Sequence, residues 1–398
     1  MSTPGRPLPG RGAPDPLAPA TLGPLRLRNR VIKAATFEGM TRKGLVSDEL
    51  IAFHRRVAAG GVGMTTVAYC AVAPEGRTDR HQIHWQDEAL PGLRRLTDAV
   101  HAEGAAISAQ IGHAGPVADG RSNRMPGLSP SRLFSPLSLQ FTRAATVADL
   151  ARIVDAHADA ARTAIDVGFD AVEIHLGHNY LASSFLSPKL NRRRDEYGGS
   201  LENRARFPRA IAQAVRDAVG DRIAVLAKLN LDDGVRRGLQ LDESIQVAQW
   251  LDQDGSLDAL EMTAGSSLLN PMYLFKGPAP LKEFAAAMRE PVRTGVRLLG
   301  RTRLHSYPYQ DGYLLEDAKR VRAAVGLPMV LLGGVTNLAV MNDAMRAGFQ
   351  FVAMGRALLR EPDLVNRLAA DPTATSLCIH CNRCMPTIYS GTRCVEIA

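Results

Sequence analysis

Apolar positions along the chain fall into two alternating patterns. Short β-branched runs recur as VIKAA (residues 31–35), GMTTVAY (63–69), AAISAQI (105–111), DAVEIH (170–175), IAVLAKL (223–229), LDALEMT (257–263), PMVLLGG (328–334) and FQFVAMG (349–355), each followed by a polar or glycine-bearing turn. Between them lie segments whose apolar residues repeat with helical spacing, such as TVADLARIVDAHADAARTAIDVG and SLENRARFPRAIAQAVRDAVG. Nearly continuous apolar runs suit strands buried on both faces, and the intervening period suits helices packed over them. Ser200 is the expected N-cap of the second of those helices, with Glu202 in its first turn. Eight such units in series predict an α/β chain folded as a (β/α)8 TIM barrel, while a doubly wound open sheet, which gives a similar alternation, stays open as an alternative.

A barrel makes a positional demand, because such folds carry their chemistry on the loops at the carboxyl ends of the strands. The unusual residues fall there. Gln110 and His113 end the third run; His175, His178 and Tyr180 end the fourth; Lys228 is late in the fifth; Gly333, Gly334, Gly355 and Arg356 end the seventh and eighth. The stretch from Ser266 to Tyr313, rich in aromatic residues, is too long for a plain connection and predicts an excursion that covers a substrate. The expected organisation is a flexible proline-rich arm over residues 1–16, one barrel over 17–370 and a cysteine-rich tail over 371–398.

Composition narrows the function classes. The first twenty-five residues have many prolines and no apolar h-region, and no later apolar run reaches membrane-spanning length, which together predict a soluble, cytoplasmic chain. The net charge of +8 comes from interspersed basic and acidic residues with no long basic run, so nucleic acid is a poorly supported partner. An anionic cofactor could use part of that charge.

His175 and His178 stand three residues apart and project to one side of a turn. They could bind a metal, although a matching third ligand is not evident nearby; they could be plain loop residues; or they could donate hydrogen bonds to an anion or a carbonyl oxygen. Tyr180 points towards the last of these, since a phenol of pKa near ~10 is a proton donor at neutral pH. Two donors on a carbonyl oxygen and a third group delivering a proton are what reduction of a carbonyl-activated C=C bond requires. A hydride source would complete the set. Gly333, Gly334, Gly355 and Arg356 supply its anchor, for the loops after strands seven and eight of a barrel often bind phosphate, and a guanidinium adds a bidentate partner.

At that point a resemblance is evident. GFDAVEIHLGHNYLASSFLSPKLNRRRDEYGGSLENRARF resembles the central signature of the old yellow enzyme family, the FMN-dependent NADH:flavin oxidoreductases. LRLRNRVIKAAT, AAGGVGMTTVAYCAVAPEGR, LLGGVTN and MGRALLREPDL resemble its other landmarks in order. The resemblance implies a barrel holding FMN, reduced by NAD(P)H and reoxidised by an activated alkene in a ping-pong cycle. It implies that His175 and His178 bind the substrate oxygen and that Tyr180 protonates. It further implies that Gln110 meets the flavin pyrimidine ring, that Ala34, Ala35, Thr36 and Tyr69 line the isoalloxazine, and that Gly334, Gly355 and Arg356 hold the phosphate. Three departures stand out: Lys228 replaces the usual arginine beside flavin N1 and O2, KAATFEG lacks the usual proline, and AGPV follows His113 where an arginine is common.

The tail, LCIHCNRCMPTIYSGTRC, spaces Cys378, Cys381, Cys384 and Cys394 as C-x2-C-x2-C-x9-C. Without a secretory signal this predicts a metal or cluster site rather than disulfides. The pattern resembles the [4Fe-4S] segment of the 2,4-dienoyl-CoA reductase and trimethylamine dehydrogenase branch, with zinc or idle thiols as alternatives. A cluster would call for a separate redox partner, the chain continuing only four residues past Cys394. The expected function is thus NAD(P)H-driven ene-reduction of a small molecule by a chain that could self-associate. The alternatives are a demethylase or dehydrogenase passing electrons out through the cluster, and a flavin-free, metal-dependent barrel built on the two histidines.

Overall fold

In the computed structural model of the protein, residues 12–136 and 138–397 are described. Most of the expected proline-rich arm lies outside them. Eight parallel strands close into a barrel: β1 (Val31–Lys33), β2 (Met64–Ala71), β3 (Ala106–Gly112), β4 (Ala171–Leu176), β5 (Ala224–Asn230), β6 (Ala259–Thr263), β7 (Met329–Leu331) and β8 (Phe351–Met354). Pairing of β8 with β1, Val352 opposite Val31, closes the ring and excludes the open sheet.

Helices α1 (Asp48–Ala59), α2 (Leu90–His101), α3 (Val147–Asp166), α4 (Leu201–Val219), α5 (Leu241–Asp254), α6 (Leu315–Ala324), α7 (Leu338–Arg346) and α8 (Leu364–Ala370) complete the outer layer. Ser200 caps α4 by accepting from the Asn203 amide, and Thr146 with Asp149 makes a capping box on α3.

Strand residues alternate between two cores, as the pleat requires. Val172, Ile174, Val225, Ala227, Leu229, Leu260 and Met262 face the helices. Ile32, Met64, Ala171, Leu226, Ala259, Val330 and Phe351 fill the barrel's amino-terminal half, plugged by Ala20, Leu22 and Leu27 of the hairpin Ala20–Leu22/Leu25–Leu27. Further along the inward faces of β3 to β6 the residues become polar: Gln110, Glu173, Lys228 and Glu261, and then His175, Asn230 and Thr263, all buried.

The excursion after β6 carries helices Pro271–Phe275, Leu281–Ala287 and Val292–Arg303. The tail runs back over the mouth of the barrel. Thr392 donates its amide to the Glu38 carbonyl at 2.7 Å, the Ser376 amide bonds the Thr336 carbonyl at 2.9 Å, and the Asn382 side chain bonds the Lys276 carbonyl at 2.8 Å. No helix among the described residues is long and apolar enough to cross a membrane.

Candidate active site at the mouth of the barrel

His175 is the last inward-facing side chain of β4, and the chain then turns sharply through His178 and Asn179, both with positive φ (60° and 57°). This costly conformation is held from β5 and β6. The His178 amide donates to Asn230 Oδ1 at 3.0 Å, and its Nε2 lies 2.8 Å from Thr263 Oγ1. Asn230 is fixed in turn by bonds from its Nδ2 to Asp233 Oδ1 (2.9 Å) and to the Gly265 carbonyl (2.8 Å). The result brings the expected triad together. The ring centres of His175 and His178 are 5.1 Å apart, those of His175 and Tyr180 are 4.2 Å apart, and Tyr69 meets Tyr180 edge-on at 5.4 Å.

Electrostatics set the protonation states. Burial, then the competing His178 imidazole and the Lys228 charge nearby, hold His175 well below the ordinary histidine range, and burial with Lys228 lowers His178 to about 3. Both imidazoles are therefore neutral at physiological pH and can each donate one N–H. His175 Nδ1 is an acceptor for the Gly177 amide (3.4 Å), which leaves Nε2 as the donor. Burial raises the Tyr180 phenol above its ordinary range, so it keeps its proton. The arrangement can stabilise an anion and then protonate it.

Lys228 lies one layer deeper. Its ammonium is 2.9 Å from Glu173 Oε1 and 3.0 Å from Glu261 Oε1. Burial alone would lower its pKa; the two carboxylates outweigh that and raise it above the usual lysine value. Gln110 Nε2 donates to the same Glu173 oxygen at 2.6 Å. Glu173, Glu261, Asn230 and Thr263 escaped the sequence reading, although each is a polar residue on the inward period of an otherwise apolar strand.

The remaining expected residues surround this centre. Ala34 donates its amide to the Met354 carbonyl (2.9 Å), Ala35 packs against the small apolar cluster that includes Ala68 and Tyr69, Thr36 Oγ1 accepts from Lys33 Nζ at 2.8 Å, and Tyr69 donates its hydroxyl to the Gly76 carbonyl. Gly333 and Gly334 have φ of 99° and 77°. A Cβ on Gly333 would lie 2.6 Å from Leu314 Cγ, and one on Gly334 2.5 Å from the Gly312 nitrogen. At Gly355 a Cβ would meet only Thr36 Cγ2, at 3.7 Å, so the backbone there is open to a ligand. Two glycine turns, the open backbone at Gly355, a buried cation and a carboxamide are a donor set that fits a flavin phosphate and pyrimidine ring.

The structure places the Arg356 guanidinium against the tail and the excursion. It bonds the Phe275 and Lys276 carbonyls and Asn382 Oδ1. It also lines one small cavity together with Cys378, Cys381, Cys384 and Cys394, none of which is in a disulfide. Burial raises the Cys378 thiol and pushes Cys384 up to about 12. Among the described residues no three His, Cys, Asp or Glu side chains stand close enough to share one metal ion, at the cysteines or at the histidine pair.

Comparison with known proteins agrees with this geometry. The chain is 54% identical over 93% of its length to 4,4'-dithiodibutanoate disulfide reductase of Rhodococcus erythropolis, spanning 92% of that protein. It is 31% identical over 91% of its length to a metal reductase of Desulforamulus reducens, of which it spans only 50%. The fold matches that of the old yellow enzyme homologue of Zymomonas mobilis with a TM-score of 0.73 at 21% identity, covering 92% of this chain and 96% of that one. Residues 17–266 match the NADH:flavin oxidoreductase / NADH oxidase family, and the chain belongs to it: an FMN-dependent NAD(P)H oxidoreductase of the old yellow enzyme type.

Proposed function

We propose that the chain is a disulfide reductase, drawing two electrons from NAD(P)H and delivering them to a small organic disulfide in the His175–His178–Tyr180 pocket. The observation that carries this reading is the 54% identity, over 93% of the chain, to a protein named for reducing 4,4'-dithiodibutanoate disulfide. FMN, when bound, relays the electrons as a hydride equivalent. Gln110 and Lys228 would hold its pyrimidine ring, Ala34, Ala35, Thr36 and Tyr69 would line it, and the glycine turns at Gly333, Gly334 and Gly355 would hold its phosphate, with Arg356 within the same loop. Reduction of RS–SR by NAD(P)H and one proton gives two thiols and NAD(P)+. As the S–S bond breaks, one sulfur leaves as a thiolate. The two neutral imidazoles are placed to stabilise that anion, and Tyr180 to protonate it.

A carbonyl-conjugated alkene makes the same demands, with an enolate in place of the thiolate. The pairing of two donor imidazoles with one phenol favours this second reading, since one oxygen could be shared between the rings. A single experiment separates the two. Protein loaded with FMN and reduced by NAD(P)H without oxygen is mixed with 4,4'-dithiodibutanoate or with a cyclic enone, and flavin reoxidation is followed. Faster turnover of the disulfide supports the first reading, turnover of the enone alone supports the second, and indifference to both overturns the pocket assignment.

The four cysteines are read as ligands of a [4Fe-4S] cluster, because they line one cavity beside Arg356 and their C-x2-C-x2-C-x9-C spacing resembles that of a cluster segment. Iron and acid-labile sulfide in anaerobically purified protein support this; zinc, or no metal, overturns it. Electron exchange with a separate redox protein belongs to the same proposal.

A further inference from the structure

The polar layer of the barrel holds one cation and two carboxylates. Lys228, Glu173 and Glu261 have side chains no more than 2% exposed, and they meet at 2.9 and 3.0 Å. Glu173 has a second donor in Gln110. Glu261 faces Lys228 and the Glu173 carboxyl, with which it can share a hydrogen bond only when one of the two is protonated; beyond these, neither of its oxygens has a hydrogen-bond partner among the described residues. The other ionisable groups near this layer do not balance it. Lys33 is paired with Glu38 at 3.3 Å beside His54, on the helix side of β1, and His175 and His178 above are neutral. With every carboxyl ionised, the layer therefore carries one uncompensated negative charge. A lone charge taken out of water costs several kcal/mol, which binding a proton relieves.

We propose that Glu261 takes up a proton each time the flavin accepts two electrons and returns it on reoxidation, so that the charged layer offsets the charge the ring acquires. This rests on the reading given above, in which Gln110 and Lys228 would hold the FMN pyrimidine ring. The balance is simple. Hydride from NAD(P)H brings the two electrons and the hydrogen that stays on the ring, which becomes an anion; one further proton passes from solvent to the Glu261 carboxylate, and no other bond changes. Burial already pushes the Glu261 carboxyl up to about 7, with Lys228 opposing and Glu173 reinforcing the shift. A new negative charge close by carries it across the neutral range. Glu173 is the carboxylate that Gln110 and Lys228 both hold.

The test is the pH dependence of the flavin midpoint potential in FMN-loaded protein between about pH 7 and 8.5, which reports the protons bound per electron pair. Wild type is expected to rise from between one and two near pH 7 to about two at pH 8.5, with the absorbance of the reduced flavin identifying the anionic ring, and Glu261→Gln to stay at one throughout. A wild-type count of one overturns the proposal, as does a count of two with a neutral reduced ring, or an unchanged count in Glu261→Gln. Should that variant fail to load FMN, the wild-type count and the reduced-flavin spectrum still decide. A chain that binds no FMN at all fails the earlier reading and this one with it, whereas bound FMN with a count of one fails only this one.

Discussion

The two ends of one barrel are built from the same strands and solve opposite problems. Along β4, Ala171 sits in the amino-terminal half, Glu173 in the middle and His175 at the mouth; β5 runs Leu226, Lys228, Asn230 and β6 runs Ala259, Glu261, Thr263. All are buried. Two residues of travel along a strand, about 6.6 Å, convert a jigsaw of apolar side chains into a layer whose cost of burial is met only by mutual pairing. Stability inside the plugged end comes from the shape of its apolar side chains. At the mouth it comes from charge matching, which is what a site that moves electrons and protons needs.

The sharpest way to break this contrast is to remove the cation. Lys228→Met leaves Glu173 and Glu261 facing each other without a counter-ion and should cost about 3–5 kcal/mol of stability, measurable by denaturant unfolding. Adding Glu261→Gln to the same chain should recover much of that loss. Phe351→Ala in the apolar half should cost a similar ~3–5 kcal/mol, with no polar second change able to restore it.

Next in size is Tyr180→Phe. It should slow acceptor reduction by about 10²–10⁴-fold while leaving flavin reduction by NAD(P)H nearly intact, as read by separate stopped-flow half-reactions. Equal loss in both would remove Tyr180 from the proton-delivery role.

Acid distinguishes the ends without substitution in the core. His178 has its pKa depressed by burial and Lys228 to about 3, against about 6.5 in an unfolded chain. The stability it contributes is complete above pH 6.5 and is lost as pH falls towards 3, at up to about 1.4 kcal/mol per pH unit. His178→Asn should flatten the fall in melting temperature between pH 7 and 5; an unchanged slope would place the acid sensitivity elsewhere.

The smallest effect is expected for Thr263→Val, which removes the partner of His178 Nε2. A loss of about 0.5–1.5 kcal/mol should appear as weaker acceptor binding, with the rate of flavin reduction and the FMN affinity unchanged.

The sequence by itself determined the architecture and singled out the side chains that gather at the mouth. Eight apolar runs separated by helical periods specify parallel strands because only burial on both faces tolerates them, and the ends of those runs carry His175, His178, Tyr180, Gln110 and Lys228, which the fold gathers at one end of the barrel. The glycine turns were legible for a local reason: φ of 99° and 77° at Gly333 and Gly334 is a property of the backbone at those residues. Pairing was decided only by the tertiary structure. Lys228 meets Glu173 and Glu261 because three strands distant in sequence bring inward-facing side chains to one level, and no spacing along the chain encodes that meeting. For the same reason Arg356, expected at a phosphate, is found against Asn382 and the cysteine cavity, where the tail folds back over the mouth. A side chain's type is written in the sequence. Its charge state follows from which neighbours share its burial, and those are set by strand register and closure of the ring.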